Sequence, residues 1–148
     1  MSTTDPIQGR CLCGAVRFTL TPPTDFAAHC HCESCRRSHG AAFVTWTGVP
    51  LTRFAFDAGA DDITWHRSSP TIEWGFCRHC GSSMLYRAIA EGHPEKPKQD
   101  RMYVTVASLE TMDRAPSVHV SYEERVPWFA ARDGLPKHRG KSDETVEE

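Results

Sequence analysis

Gly9-Arg10-Cys11-Leu12-Cys13-Gly14-Ala15-Val16-Arg17-Phe18 and, far along the chain, Phe76-Cys77-Arg78-His79-Cys80-Gly81-Ser82 carry the two cysteine pairs that decide the fold. A gap of one or two residues lets the backbone turn so that both sulfurs of a pair face one ion at roughly 2.3 Å. The glycine after each pair permits the tight turn. Two such pairs supply four thiolates, the complement of a closed, structural zinc site. Between them stands Cys30-His31-Cys32-Glu33-Ser34-Cys35, whose three sulfurs fill only three of four tetrahedral positions. An open fourth position is what separates a reactive zinc from a structural one. An ion there would act as a Lewis acid or hold a bound thiol as thiolate near neutral pH.

Two other readings of the cysteines fit the count. His29, His31 or His39 could close the triplet as a fourth ligand. Cys11, Cys13, Cys30 and Cys32 could share one ion, leaving Cys35, Cys77 and Cys80 for the other. The contiguity of the triplet favours the first partition, which uses all seven Cys of the chain. No thiol is then left over for a redox enzyme of the methionine sulfoxide reductase kind. Free, clustered thiols point to a reducing compartment, and with no basic-plus-apolar leader at Met1 to Pro6 the expected location is the cytoplasm.

The rest of the 148-residue chain reads as one globular domain of mainly β class, residues 1 to 148, with its core at 9 to 136. At 39% hydrophobic and 24% charged it is neither disordered nor fibrous. A net charge of −2 without long basic runs excludes a nucleic-acid track. Gly40 to Leu51, the longest weakly polar stretch, falls short of the roughly 20 apolar residues of a membrane span. Period-two alternation predicts strands around Val16 to Leu20, Phe43 to Trp46, Phe54 to Phe56, Ile63 to His66, Met84 to Tyr86, Met102 to Val106 and Val118 to Tyr122. Pro22-Pro23, Gly59, Gly75 and Gly81 read as turns between them, Glu33 to Ser38 and Leu109 to Arg114 as short helical turns. Glu91 to Asp100 reads as an exposed loop, and residues 137 to 148 as a frayed tail.

The three cysteine motifs, with Ser68-Ser69-Pro70, Gly40-Ala41-Ala42-Phe43, Pro127-Trp128-Phe129 and Asp133-Gly134-Leu135-Pro136, resemble the glutathione-dependent formaldehyde-activating enzyme family, which includes centromere protein V. The resemblance covers about residues 9 to 136. It implies a β-tent of small antiparallel sheets pinned by zinc, with two Zn²⁺ per chain. The structural ion would fall on Cys11, Cys13, Cys77 and Cys80. The second, associated with glutathione and activity, would fall on Cys30, Cys32 and Cys35. The activity implied is that of a carbon-sulfur lyase, joining glutathione and formaldehyde to S-hydroxymethylglutathione. Two departures stand out: Glu73-Trp74-Gly75 where the family often places Arg, and Lys137-His138 where its last motif commonly ends in an aromatic residue.

The partners expected are therefore glutathione or a related thiol and a small aldehyde, with no nucleic acid and no membrane, and with room for a homo-oligomer. His31 or His39 would donate a proton to the hemithioacetal oxygen, with His31 beside the triplet. Arg36 and Arg37 would pair with glutathione carboxylates, and Trp128, between Pro127 and Phe129, would line the pocket. The competing class is a zinc-stabilised module that binds a thiol, glutathione or a protein without turnover.

Overall fold

Where a short run alternates Val, Phe or Leu with polar residues, one face can bury and the other stay wet, and the backbone settles as a strand. The computed structural model, which describes residues 4–88 and 101–147, is mainly β with antiparallel sheets, as the alternation predicts. Its elements are β1 (Ile7–Arg10), β2 (Arg17–Leu20), β3 (Ala27–Cys30), α1 (Glu33–His39), β4 (Val44–Pro50), β5 (Phe54–Ala58), β6 (Ile63–Ser69), β7 (Ile72–Cys77), β8 (Ser83–Ala88), β9 (Arg101–Thr105) and β10 (His119–Val120). The loop expected at Glu91 to Asp100 lies outside the described residues. Among those described, no helix is long and apolar enough to cross a membrane.

The chain divides into two compact units, one from the residues up to Asp25 with Thr47–Asp113, the other from Phe26–Trp46 with the residues from Arg114 on. In the first, β2 pairs antiparallel with β1 and with β5, and β9, β8, β7 and β6 follow β4 in strand order. Its core gathers Phe18, Leu20, Val49, Met84, Leu85 and Val104, and the thiols of Cys11 and Cys77 are buried in it. Each such side chain, fully withdrawn from water, stabilises by roughly 1.5–3 kcal/mol. In the second unit β10 runs parallel to β3, in register His119↔His29 and Val120↔Cys30.

Three local expectations are corrected. Gly75 is no turn: it sits inside β7, opposite Trp65, because a Cβ there would meet the Trp65 ring at 2.9 Å. The helical turn expected at Leu109 to Arg114 falls three residues earlier, at Val106–Ser108, because Leu109 bridges Gly9 and Glu110 N–H donates to Gln8 O at 2.8 Å. The tail is not frayed over 137–147. Val146 N–H donates to Lys137 O at 2.8 Å, and His138 O accepts from Tyr122 N–H at 3.0 Å. Those backbone bonds fold it back onto its own unit.

Candidate metal centres

The first cysteine pair leaves the end of β1 and the second begins at the end of β7. Gly14 N–H closes one turn on Cys11 O at 3.2 Å and Gly81 N–H closes the other on Cys77 O at 2.8 Å. Both glycines hold φ near +80°, at +79° and +76°, a conformation costly to residues with a Cβ. The four Sγ atoms lie within 4.8 Å of one another, Cys11 to Cys13 at 3.5 Å and Cys13 to Cys77 at 3.8 Å. A tetrahedron with Zn–S bonds of about 2.3 Å has edges of about 3.8 Å, so the arrangement fits a zinc ion without rebuilding. Backbone donors are already aimed at the sulfurs, Val16 N–H reaching Cys11 Sγ at 3.3 Å. Ser82 links the pairs: its Oγ lies 3.2 Å from Cys80 Sγ and accepts Leu12 N–H at 2.9 Å. The Ser82 hydroxyl, then the backbone N–H groups of Cys13 and Ser82, bring the Cys80 thiol down to about 5. The group is thus set up to bind as thiolate.

The triplet is built differently. Cys30 ends β3, Cys32 caps α1 and Cys35 lies in its first turn. Cys32 takes the place of the usual Ser or Asp cap, its Sγ accepting Cys35 N–H at 3.3 Å. Glu33 at the start and Arg36, Arg37 and His39 at the end suit the helix dipole, and Gly40 at φ +60° stops the helix. The Cys30 and Cys35 sulfurs are 3.5 Å apart, and all three lie within 4.8 Å. Trp46 Nε1–H donates to Cys35 Sγ at 3.3 Å. Hydrogen bonds from Cys30 and Cys35, with the nearby Lys141 charge, hold the Cys32 thiol far below its ordinary value. The same sharing pushes Cys35 far up and Cys30 to about 11. Crowding opposes ionisation of all three sulfurs together; a cation is what would let them ionise, so the donor set fits a metal.

No histidine joins these sulfurs among the described residues. Strand alternation explains why: His29 and His31 face away from Cys30. They meet His119 instead, His31 Nε2 lying 2.8 Å from His119 Nδ1, and His119 Nε2 2.9 Å from Asp133 Oδ2. His29 Nδ1 lies 2.7 Å from Thr45 Oγ1. Phe43, Tyr122 and Phe129 ring His31, and burial, then the His119 charge, bring it down to about 4, so it is neutral at pH 7. His39, at the other end of α1, has Nδ1 3.1 Å from Cys35 O.

The remaining expected site residues scatter. Arg36 donates from Nε to His31 O at 3.2 Å, bracing the triplet loop. Arg37 faces solvent, paired with Glu33 at 2.7 Å. Trp128 is 74% exposed. Sequence reasoning missed Trp46 and Lys141 as neighbours of the triplet, and missed the grouping of His29, His119 and Asp133. The only hint was His119 inside an apolar alternation, where a polar residue on the buried face needs a partner.

The model of the glutathione-dependent formaldehyde-activating enzymes matches residues 6–124. That span includes every cysteine of the chain. The protein belongs to this family. A Schizosaccharomyces pombe protein described as an uncharacterised lyase is 28% identical over 90 residues, covering 57% of this chain and 59% of its own. The chain thus matches about three-fifths of that relative's length. A crystal structure of a Rhodobacter sphaeroides protein, a structural genomics target, is similar with a TM-score of 0.55 and 29% identity, over 71% of this chain and 89% of the other. In this member of the family Glu73 is neutralised by Arg87 at 2.9 Å and Arg67 at 3.5 Å, so it adds no free negative charge to its strand. Lys137 and His138 start the terminal hairpin, with Lys137 Nζ 5.6 Å above the Tyr122 ring.

Proposed function

We propose that the protein is a zinc-dependent carbon-sulfur lyase that joins glutathione, or a related thiol, to formaldehyde or another small aldehyde. The observation that carries this reading is the triplet itself: three convergent sulfurs with no fourth protein donor beside them among the described residues. Zinc held by Cys30, Cys32 and Cys35 would supply Lewis acidity and favour the thiolate form of a bound thiol. The chain's own residues do the positioning. The Cys32 cap fixes the triplet to α1, Trp46 N–H and Cys35 N–H stabilise sulfur charge, and Arg36 holds the loop through His31 O. Arg37, on the exposed face of the same helix, offers its guanidinium to a glutathione carboxylate, and exposed Trp128 offers an apolar surface.

The reaction needs few parts. A sulfur–carbon bond forms, the carbonyl π pair moves to oxygen, and the thiol proton ends on that oxygen through water. Formaldehyde is electrophilic enough that holding a thiolate beside it provides the main advantage. The ring of His31 lies with His119 rather than with the sulfurs, so proton delivery is assigned to solvent. The other ion, on Cys11, Cys13, Cys77 and Cys80, would be structural, giving two per chain.

Exchange NMR of labelled formaldehyde with glutathione tests this. Zinc-loaded protein should accelerate interconversion of free aldehyde and S-hydroxymethyl adduct, and Cys35→Ser, still folded, should not. Glutathione binding without acceleration would instead establish a binding module.

A further inference from the structure

We infer that His29, His119 and Asp133 form a third cation site, for a divalent first-row metal held by two imidazoles and a carboxylate. The three residues each offer one donor atom, and those atoms lie within 4.8 Å of one another. The topology dictates the grouping: parallel pairing sets His119 of β10 opposite His29 of β3, on the face away from the Cys30 sulfur. His119 Nε2 and Asp133 Oδ2 are 2.9 Å apart, close to the edge expected between cis ligands of a six-coordinate ion at about 2.0–2.2 Å.

The surroundings are those a metal-binding histidine requires. Such a residue uses one ring nitrogen for the ion while the other is fixed by a hydrogen-bond partner. Here His29 Nδ1 is engaged by Thr45 Oγ1 at 2.7 Å, which leaves Nε2 to coordinate. His119 Nδ1 is engaged by His31 Nε2 at 2.8 Å, which leaves Nε2 on the Asp133 side. Asp133 is held in turn, its Oδ1 accepting Leu135 N–H at 3.1 Å, so Oδ2 is the oxygen presented to the group. His119 is 1% exposed while the Asp133 side chain is 43% exposed, so an ion can enter past the carboxylate. Two neutral imidazoles and one carboxylate leave coordination positions open and suit Zn²⁺, Fe²⁺ or Co²⁺ rather than Ca²⁺ or Mg²⁺. This donor set is harder than the thiolates, so the site should fill after the cysteine sites.

That order gives the test, and it does not depend on any catalytic activity. Protein carrying zinc on its cysteines is titrated with Co²⁺ and followed by visible absorption and by metal analysis after gel filtration. The expected result is one further equivalent bound saturably, with weak d–d bands and no thiolate-to-cobalt charge transfer. Asp133→Ala and His29→Gln should each weaken this binding at least about tenfold while far-UV circular dichroism and zinc content stay unchanged. Absence of saturable binding, cobalt appearing only with thiolate charge transfer, or equal binding by both folded variants would overturn the proposal. The three side chains would then be a hydrogen-bond chain and nothing more.

Discussion

The two cysteine groups offer the same donor chemistry in opposite settings. In the four-cysteine site the contact between Cys13 and Cys77 spans 64 residues of chain, and Cys11 and Cys77 belong to the apolar core. In the triplet the contact between Cys35 and Cys30 spans five residues, at the junction of a strand and a single short helix. Bridged by a metal and treated as covalent cross-links, the first link would stabilise by about 4 kcal/mol and the second by about 2 kcal/mol. An ion in the long-range site would also order the loops after β1 and β7, whereas the triplet is ordered by α1, which has its own caps. The comparison teaches that clusters of neighbouring thiols need not carry equal structural weight. Separation along the chain and connection to the core decide it.

The strongest way to break this comparison is to remove one sulfur from each site. Cys80 is preferable to Cys77 because Cys77 is fully buried and its loss would mix metal release with a packing defect. Cys80→Ser should leave the chain unfolded or molten at 25 °C, since structural zinc contributes roughly 10–16 kcal/mol in small zinc domains. Circular dichroism and zinc analysis read this directly, and a folded variant with full zinc would end the structural assignment. Cys35→Ser should cost far less: one zinc lost, a cooperative melt retained, and aldehyde–thiol exchange abolished. Equal collapse of both variants would erase the distinction between the sites.

Much of this difference was legible in the sequence, for physical reasons that particular residues show. Paired cysteines followed by glycine announce a metal loop because the geometry of a turn and of a tetrahedron leave few alternatives. Val16, Phe18 and Leu20 announce β2 because one face of a strand buries every second residue. Ala27-Ala28-His29-Cys30 announces little, having no β-branched residue, and β3 forms there because β10 pairs with it. Gly75 misleads for a similar reason: a glycine looks like a turn in one dimension, while its need arises from the Trp65 ring across the sheet. Apart from the position of His119 in an apolar alternation, the histidine group left no signal, since His29 and His119 meet only through strand pairing. His31 shows the reverse error, adjacency in sequence suggesting a place beside the sulfurs that strand alternation denies it.

A smaller effect sharpens the comparison at the triplet. Trp46→Phe keeps the ring that packs edge-on against His39, centroids 5.3 Å apart, but removes the N–H that points at Cys35 Sγ. Loss of a group that steadies a ligand lowers metal affinity by about 10–100-fold. Chelator competition should therefore strip one zinc from Trp46→Phe more readily than from the wild type, with the melting temperature little changed. Simultaneous weakening of both ions would mean that Trp46 acts on the fold rather than on the triplet.

The smallest effect belongs to Ser82, the corresponding residue at the four-cysteine site. Ser82→Ala removes the acceptor of Leu12 N–H and the hydroxyl beside Cys80 Sγ, yet every sulfur remains. One hydrogen bond of this kind is worth about 1 kcal/mol, and Leu12 is exposed enough for water to replace the lost acceptor. The melting temperature should fall by only about 2–4 °C. The pH dependence is more informative than the melt. The Ser82 hydroxyl is the largest influence holding the Cys80 thiol down at about 5, so without it that thiol rises and protons compete with zinc sooner. Zinc release on acidification should therefore begin at a higher pH in Ser82→Ala, for one ion of the two, while the ion of the triplet leaves at its wild-type pH. A shift in both release steps would show that the two sites are coupled, and the contrast between a long-range staple and a local reactive loop would then describe their construction but not their behaviour.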